Sequence, residues 1–465
     1  MITGDAEMDV RKESDSMGEV DIPGWAYWGA QTQRAVENFG VSPLRIPDSM
    51  IIALGLIKKY AARANQKLQV LDEKLADSII TAAEEIIAGE WNEHFPIDVF
   101  QTGSGTSWNM NTNELIANRA NEILGQPRGT RKPVHPNDHV NRGQSSNDVI
   151  PTAIHIANRM QLEPLLVAVT HLAEELRKKE QQFSAMVKLG RTHLQDAVPM
   201  TLGQEFSGFA VQIEKAIPRL QAVQANLEEL ALGGTALGTG INCEPGFAEM
   251  VAAGIAEETG LPFRSAPNKF EAIASRDGQV ELMGALNTLA TSLMKIANDL
   301  RLLASGPRGA LGEIVLPSLQ PGSSIMPGKV NPVIPEMVIQ VAAHINGKAV
   351  AVTIAGQNGP LELNMMNPLI AHETLSALDL LTETCNVMAD RAIAGLEADV
   401  ERMQYWIEWS LALVTPLAVE IGYDNATRLA YQAYKEKRLI RDVVLESKLL
   451  SPERVEELLD PSQMI

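Results

Sequence analysis

The sequence predicts a mainly α-helical fold, and three observations support this. Only 5% of the 465 residues are aromatic, whereas methionine occurs 18 times and alanine and leucine are abundant. This composition favours packing between helices over sheets, which prefer β-branched and aromatic residues. Leucine and isoleucine recur every three or four residues from 282 to 303, the heptad pattern of a long bundle helix. A second apolar helical face runs from Leu162 to Leu176.

The N-terminal part of the chain has a mixed character. Residues 21–30 are rich in aromatic residues, glycine and proline, which indicates a short ordered segment near a domain edge. Helical patterns follow at 49–67, 73–90 and 111–124. Polar loop motifs separate these helices up to about residue 147.

The central part is predicted to consist of long helices. Pro164 lies inside the face that begins at Leu162, so we expect that helix to start or kink there. Further long helices are expected at 200–230, 282–303 and 364–394. The 282–303 helix carries few charges, which predicts burial on most sides, as in a bundle that packs against other subunits.

The last part is predicted to form shorter helices, and the length of the chain suits about three domains of roughly 150 residues each. Ser451 is expected to cap a helix that has Pro452 at its first position. We predict a mixed, mostly helical N-terminal domain (1–142), a long-helix bundle (143–398) and a small helical C-terminal domain (399–465).

Composition also limits the partners of the protein. A net charge of −19 argues against nucleic acid or an anionic membrane surface. Two distant cysteines, Cys243 and Cys385, indicate neither a disulfide framework nor a zinc cluster. Residues 1–20 lack the apolar core of a signal peptide, and no uncharged apolar run is long enough to span a bilayer. The expectation is a cytoplasmic protein.

The most informative segment runs from Gly322 to Asn331. It contains Ser323, Ser324, Lys329 and Asn331 among glycines and prolines that no helix or strand would tolerate. A loop is therefore predicted, and its hydroxyls, backbone N–H groups and single ammonium could surround a small anion. A purely structural role is the less favoured interpretation of this loop.

Three further polar segments are candidate parts of the same site, although each alone could be an ordinary turn. Taken singly, the histidine of the third is more often structural than catalytic. His135 and His139 have an i, i+4 spacing, but Pro136 between them argues against a metal site. The segments are Gln101–Thr106 (with Ser104, Gly105 and Thr106), the His135–Asp138 turn running into Gln144–Asp148, and Gly190–Asp196 with His193.

Together these groups suit proton abstraction beside a carboxylate. The reaction builds a dianionic aci-carboxylate, which needs aligned donors and a cation at its oxygens, a base near the carbon and an acid for the leaving group. Ser323 could act as an oxyanion base, while Lys329 and Asn331 hold the carboxylate. His193 could handle the second proton, with Glu336 fixing its tautomer. No metal or organic cofactor is required.

The sequence closely resembles the class II fumarases of the fumarase/aspartase superfamily, from Tyr27–Arg34 to the tail motif Ile421–Asp424, and the Gly322–Asn331 run matches the superfamily signature. The resemblance implies a three-domain, mainly α fold whose long central helices form a multi-helix core in a homotetramer. Each active site would be built from three subunits. The expected reaction is the reversible hydration of fumarate to (S)-malate.

The resemblance also assigns roles. Ser323 becomes the base that takes the C3 proton of malate, and His193 pairs with Glu336. His135, Pro136, Asn137 and Asp138 match a second, non-catalytic anion site. The substrate would be held by Ser104, Gly105, Thr106, Ser145, Ser146, Asn147, Thr192, Ser324, Lys329, Val330 and Asn331.

Some residues leave an alternative open. The Gln144–Asp148 motif has the fumarase form, whereas Val333–Glu336 and Leu363–Pro368 look partly like those of aspartases, so aspartate ammonia-lyase is the first alternative. Trp108 stands where relatives carry a small or polar residue, which predicts an altered pocket edge. A catalytically silent structural protein is a second alternative. The argininosuccinate and adenylosuccinate lyases are less expected, because their larger substrates go with different loops.

Overall fold

The structure, a computed structural model, describes residues 10–465; part of the segment expected to lack a signal peptide and the start of the predicted N-terminal domain lie outside this range. The described chain is predominantly helical, as predicted. The α-helices are α1 (Ala30–Asn38), α2 (Asp48–Lys67), α3 (Glu73–Ile87), α4 (Thr106–Ile123), α5 (Ser146–Gln182), α6 (Leu202–Glu214), α7 (Ala216–Ala222), α8 (Gln224–Leu227), α9 (Phe247–Thr259), α10 (Lys269–Ala274), α11 (Asp277–Leu303), α12 (Val333–Gly356), α13 (Asn367–Val387), α14 (Val400–Trp409), α15 (Val414–Ile421), α16 (Tyr423–Glu436), α17 (Ile440–Ser447) and α18 (Pro452–Leu458).

The strands form two-stranded sheets. The antiparallel pairs are β1 (Val10–Asp15) with β2 (Gly18–Pro23), β3 (Val187–Thr192) with β4 (Gln195–Thr201), and β7 (Ile314–Val315) with β8 (Glu397–Ala398); β5 (Glu229–Leu230) and β6 (Arg264–Ser265) are parallel. Since every sheet is this small, the strands serve local connections and the helices build the core.

The chain divides into two compact units. The first contains the described residues up to Leu166, Arg219–Thr288 and His344–Leu381; the second contains Val167–Pro218, Leu289–Ala343 and Thr382–Ile465. The unit boundaries fall within α5, α7, α11, α12 and α13. The three domains expected from the sequence remain a prediction.

Helix α5 differs from its prediction at its N-terminus. It begins at Ser146 and runs through both Pro151 and Pro164, so Pro164 does not start it. Each proline removes one backbone donor. The buried side chains of Leu162, Leu165 and their neighbours on the same face pack well enough to maintain the helix.

The prediction of a single helix at 200–230 is wrong. The structure has three shorter helices there, α6, α7 and α8. Pro218 is the third residue of α7, where a missing N–H costs little because first-turn N–H groups have no partner within their own helix. The same proline favours a new helix over continuation of α6.

Helices α11 and α12 differ in how their apolar residues are covered. The heptad residues of α11, from Leu282 to Leu303, are buried. By contrast, α12 is long and apolar enough, by length and composition alone, to cross a bilayer, and only 28% of its most apolar window is buried. It contains Glu336 and Lys348, so it is not an uncharged run.

The β3–β4 hairpin is anchored to the C-terminal helices of the second unit. Leu189 of β3 belongs to the same buried cluster as Leu413, Leu417 and Leu429. The hairpin is therefore fixed at its base, while its tip at His193 and Leu194 reaches solvent.

Candidate active site

Two helix N-termini meet in the first unit. Gly105 caps α4 with a positive φ of 76°, and a Cβ on it would lie 2.9 Å from Ile150, one turn into α5. Gly103 packs on the backbone of Met365, where a Cβ would meet the carbonyl oxygen at 2.0 Å. Both contacts need glycine. They bring together two helix ends whose free N–H groups favour anions.

The predicted hydroxyl and amide groups of this unit lie at these helix ends. The hydroxyls of Ser104 and Thr106 are 2.9 Å apart at the start of α4. Ser146 and Asn147 are the first two residues of α5, and the Asn147 amide donates to the carbonyl of Ala236 at 2.8 Å. The sequence-predicted residues of the first unit thus belong to neighbouring structural elements.

A cavity of about 500 Å³ joins two predicted groups of residues. Ser145, a predicted substrate ligand, lines it together with Asn137 and Asp138 of the predicted second anion site. Arg142 lines it as well and supplies a positive charge that the sequence interpretation had not included.

The predicted turn at 135–138 is one turn of π-helix, Pro136–Val140, with His135 as its N-cap. The Nδ1 of His135 accepts from the backbone N–H groups of Asn137 and Asp138, both at 3.2 Å. The same Nδ1 lies 3.4 Å from a carboxylate oxygen of Asp138.

A second cavity, of about 590 Å³, faces these histidines. His135, Asp138 and His139 line it together with Arg131 and Lys132. The pKa of His139 is lowered, chiefly because burial penalises the charged ring. The two cations of this cavity were also missed by sequence reasoning, since they fall outside the quoted motif.

Beneath the start of α5 lies a buried polar network that the sequence interpretation overlooked. The ammonium of Lys58 on α2, which has no solvent exposure, donates to the amide oxygens of Asn109 (2.8 Å), Gln144 (2.9 Å) and Asn141 (3.1 Å). Burial lowers the pKa of Lys58 to about 7, against the attraction of Asp148. Lys58 interrupts the apolar run from Leu54 to Ala62. A charged residue on an apolar helix face was therefore the sequence feature that could have revealed this network.

Asp148 links the start of α5 to the loop that contains Gly233 and Thr235. Its carboxylate accepts from the backbone N–H groups of Ser145 (2.9 Å), Gly233 (2.9 Å) and Thr235 (2.8 Å). Burial raises the pKa of Asp148 to about 6, while these hydrogen bonds and Lys58 oppose the rise. The buried carboxylate of Asp148 thus fixes the position of Ser145.

The Gly322–Asn331 run forms the predicted loop, in the second unit. The Ser323 hydroxyl oxygen accepts from the backbone N–H groups of Ile325 (3.2 Å) and Met326 (2.9 Å). The loop closes on itself, since Gly322 N–H donates to the carbonyl of Lys329 at 2.8 Å and the Asn331 amide donates to the carbonyl of Gly322 at 2.6 Å. Two N–H groups aimed at one oxygen would stabilise negative charge there.

A cavity of about 670 Å³ lies beside this loop. Lys329, Val330 and Asn331 line it with Glu336 from the first turn of α12, and Arg301 of α11 adds a second cation. Three predicted substrate ligands and one predicted catalytic residue therefore share a cavity.

His193 occupies the tip of the β3–β4 hairpin, with a positive φ of 55°. A buried ion cluster supports this hairpin: Arg191 pairs with Glu313 at 2.9 Å, and Lys188 lies 3.4 Å from the same carboxylate. Thr192, the last residue of β3, precedes the turn. The side chain of His193 is therefore exposed at the tip of a hairpin that the buried ion cluster stabilises.

The single chain does not unite the predicted catalytic residues. Among the side chains of residues 10–465, no hydrogen bond or ion pair joins His193, Ser323 and Glu336. Trp108 lies fully buried in α4 and does not line the cavities described above. Its effect on a pocket edge stays a prediction. Within the described range, no group of three or more His, Cys, Asp or Glu residues is placed to hold a metal ion.

The fold and these polar loops define a helical lyase. Residues 18–347 match the family described as Lyase, and residues 413–465 match the one described as Fumarase C C-terminus. More particularly, the chain belongs to the class II fumarase family of the fumarase/aspartase superfamily.

Relatives and solved structures support this assignment along nearly the whole chain. A class II fumarate hydratase from Neisseria meningitidis is 49% identical, over 98% of this chain and 99% of the relative. The mitochondrial fumarate hydratase of Mus musculus is 48% identical, over 98% and 90%. The crystal structure of a class II fumarase from Schistosoma mansoni superimposes with a TM-score of 0.94 at 40% identity, covering 98% of this chain and 99% of that one.

Proposed function

We propose that this chain is a fumarate hydratase, a hydro-lyase that interconverts fumarate and (S)-malate. The observation that carries the proposal is the near-complete match to class II fumarate hydratases, which reaches from the first described helices to the C-terminal segment. The fold agrees with it, since the polar loops stand on a helical scaffold.

In the proposed mechanism, Ser323 takes a proton from C3 of malate. The electron pair passes into the neighbouring carboxylate and forms the aci-carboxylate, which then expels the C2 hydroxyl as water once an acid supplies a proton. The two N–H groups on the Ser323 oxygen support its role as base, because they stabilise the alkoxide. Lys329 and Asn331 hold the carboxylate that gains charge, and His193 with Glu336 handles the second proton.

The remaining predicted ligands would bind the other parts of the substrate. Ser104, Thr106, Ser145 and Ser146 lie at helix N-termini, where hydroxyl and N–H donors suit a carboxylate. The groups around His135 and Asn137 form the second anion site.

We further propose a homotetramer whose active sites combine residues of different copies. Two features support this arrangement: no hydrogen bond or ion pair joins His193, Ser323 and Glu336 in the described chain, and α12 leaves apolar residues uncovered. Val350 and Ile354, one turn apart on α12, are 60% and 52% exposed. A second copy would bury this face.

We propose a cytoplasmic location. Cys243 and Cys385 are free thiols, which suits a reducing compartment. The mitochondrial relative shows that the family also serves an organelle, so fractionation of the source cells is the relevant test.

The decisive assay incubates the protein with fumarate, with and without ammonium, and identifies the product. We expect malate under both conditions. Aspartate formed only with ammonium would show that the protein is an aspartate ammonia-lyase and not a hydratase. The variant Ser323→Ala should retain the melting temperature and lose about 10²–10⁴-fold in kcat, because the base is gone. Unchanged turnover would refute the assigned base, and a wild type without turnover would favour a silent structural protein.

A further inference from the structure

The polar network around Lys58 determines which way the hydroxyl of Ser146 can donate. An ammonium offers donors only, so the amide oxygen of Asn109 must face Lys58. The Nδ2 of Asn109 consequently donates, to the Ser146 oxygen at 2.9 Å and to the Oδ1 of Asn141 at 3.2 Å. Ser146 has to accept the first of these hydrogen bonds. No side chain or carbonyl of the described residues accepts the hydroxyl proton of Ser146, so this proton has no acceptor within the described part of the protein.

The other two contacts of Lys58 hold the same segment. Gln144, which accepts from Lys58 at 2.9 Å, donates its Nε2 to the carbonyls of Val140 (3.1 Å) and Arg142 (3.2 Å). Asn141, which accepts at 3.1 Å, donates to the carbonyl of Gln144 at 3.1 Å. The three protons of one ammonium therefore organise the chain that leads into Ser146.

We propose that Lys58 is a positioning residue that, through Asn109, fixes Ser146 as a hydrogen-bond donor to a substrate carboxylate. This inference rests on the proposed function, because it takes a dicarboxylate as the ligand. Lys58 does not touch the substrate. Through Asn109, it sets the direction in which the hydroxyl of Ser146 donates its hydrogen bond.

Burial supports a specific use for this lysine. Lys58 has no solvent exposure, and within residues 10–465 its ammonium contacts amide oxygens and no carboxylate, so its charge is kept inside the protein at a cost in desolvation. That cost is visible in its pKa, which burial lowers to about 7. A methionine of similar shape would avoid the cost, but it would deprive the three amide oxygens of the donor that they share.

The test is a double-mutant cycle of Lys58→Met and Ser146→Ala in the full-length protein at about pH 6, below the pKa of about 7 of Lys58, so that its side chain is an ammonium. Binding of succinate, a saturated dicarboxylate of the same length as fumarate, is measured by calorimetry, and KM and kcat for fumarate are measured beside it. Each single variant should weaken succinate binding and raise KM by at least about tenfold, the effect of losing one hydrogen bond to a charged group. The change in kcat should be smaller.

The double variant is the critical member of the cycle. If Lys58 acts through Ser146, adding Lys58→Met to Ser146→Ala should weaken binding by less than about threefold further. Effects that multiply in the double variant, or a Lys58→Met protein that binds succinate like the wild type, would overturn the proposal.

Two further variants make the test specific to this network. Lys59→Met removes the neighbouring lysine, which pairs with Glu84 and Glu258 away from Asn109, and should bind succinate normally. If Lys58→Met does not fold, Asn109→Ala interrupts the same relay with Lys58 in place and is judged by the same cycle. A wild type that binds succinate without converting fumarate would refute the proposed function, while the binding cycle would still decide the role of Lys58.

Discussion

Two buried charged side chains hold the predicted substrate ligands at the start of α5 in place. Lys58 and Asp148 attract each other across the start of α5, and burial shifts each pKa toward the neutral form. Lys58 holds side-chain amides, whereas Asp148 holds backbone N–H groups. Between them they determine where Ser145 and Ser146 lie.

The shifted pKa of Lys58 predicts how stability changes with pH. In the unfolded chain its pKa is about 10.4, whereas in the folded protein it is about 7. Between these values the unfolded state binds more protons, so the Lys58 contribution to the free energy of unfolding rises with pH, by about 1.4 kcal/mol per unit. Below about pH 7 this contribution no longer changes.

Chemical denaturation of the wild type and of Lys58→Met at several pH values between about 7.5 and 9.5 measures this slope. The difference in unfolding free energy should grow in favour of the wild type as pH rises. Lys59→Met is the control, because burial lowers the pKa of Lys59 but its hydrogen bonds and ion pairs with Glu258 and Glu84 outweigh burial and raise the pKa. Lys59 therefore stays charged throughout this range. A pH-independent difference for Lys58→Met would contradict the prediction.

At the scale of elements, the sequence predicted local features better than junctions. The helical periodicity located α2, α11 and α13, and Ser451 caps α18 through the backbone of Arg454 as expected. Pro164 was misleading, because packing of a buried face outweighs one lost hydrogen bond. The hairpin under His193 was missed, since its anchor, Leu189, packs on residues more than 200 positions away in the sequence.

The same limit applies to the candidate site. Motifs identify hydroxyls and amides that lie close together in sequence, such as those of the Ser323 loop. Lys58 and Arg301 come from α2 and α11, far from any motif in sequence, whereas Arg142 lies between the two halves of the second polar segment. Only the folded chain reveals that Lys58 belongs to the network beneath α5, and that Arg142 and Arg301 each line one of the cavities described above.

The closed form of the Ser323 loop depends on glycine at position 322. A Cβ there would lie 2.5 Å from the carbonyl oxygen of Lys329 and 2.7 Å from the nitrogen of Asn331. Gly322→Ala should therefore open the loop and lower kcat/KM for fumarate by about 100-fold or more, since small misplacements of catalytic groups are that costly. The melting temperature should change little, because the loop is exposed.

Gly309→Ala is the matched control, because no atom lies within 4 Å of the position that its Cβ would take. Its kcat/KM should equal that of the wild type. Equal activity in the two variants would show that closure of the loop is not needed for turnover.

At the scale of the whole molecule, the uncovered face of α12 predicts association. Ile354→Glu places a charge on that face, so it should shift the protein to smaller species in analytical ultracentrifugation and reduce activity at least about tenfold. Val419→Glu is the control, since Val419 is 89% exposed on α15. Unchanged sedimentation of Ile354→Glu would exclude this face from the interface.

If Ser323 and His193 of one site come from different copies, two inactive variants should complement each other. Chains carrying Ser323→Ala and chains carrying His193→Ala are co-expressed with different tags, and hybrids bearing both tags are isolated. Random mixing then gives about a quarter of the sites a native serine and a native histidine, so activity should return to about that fraction of the wild type. Were both residues supplied by the same copy, every hybrid site would lack one of them. Hybrids as inactive as the parents would therefore refute shared sites, even if the tetramer itself were intact.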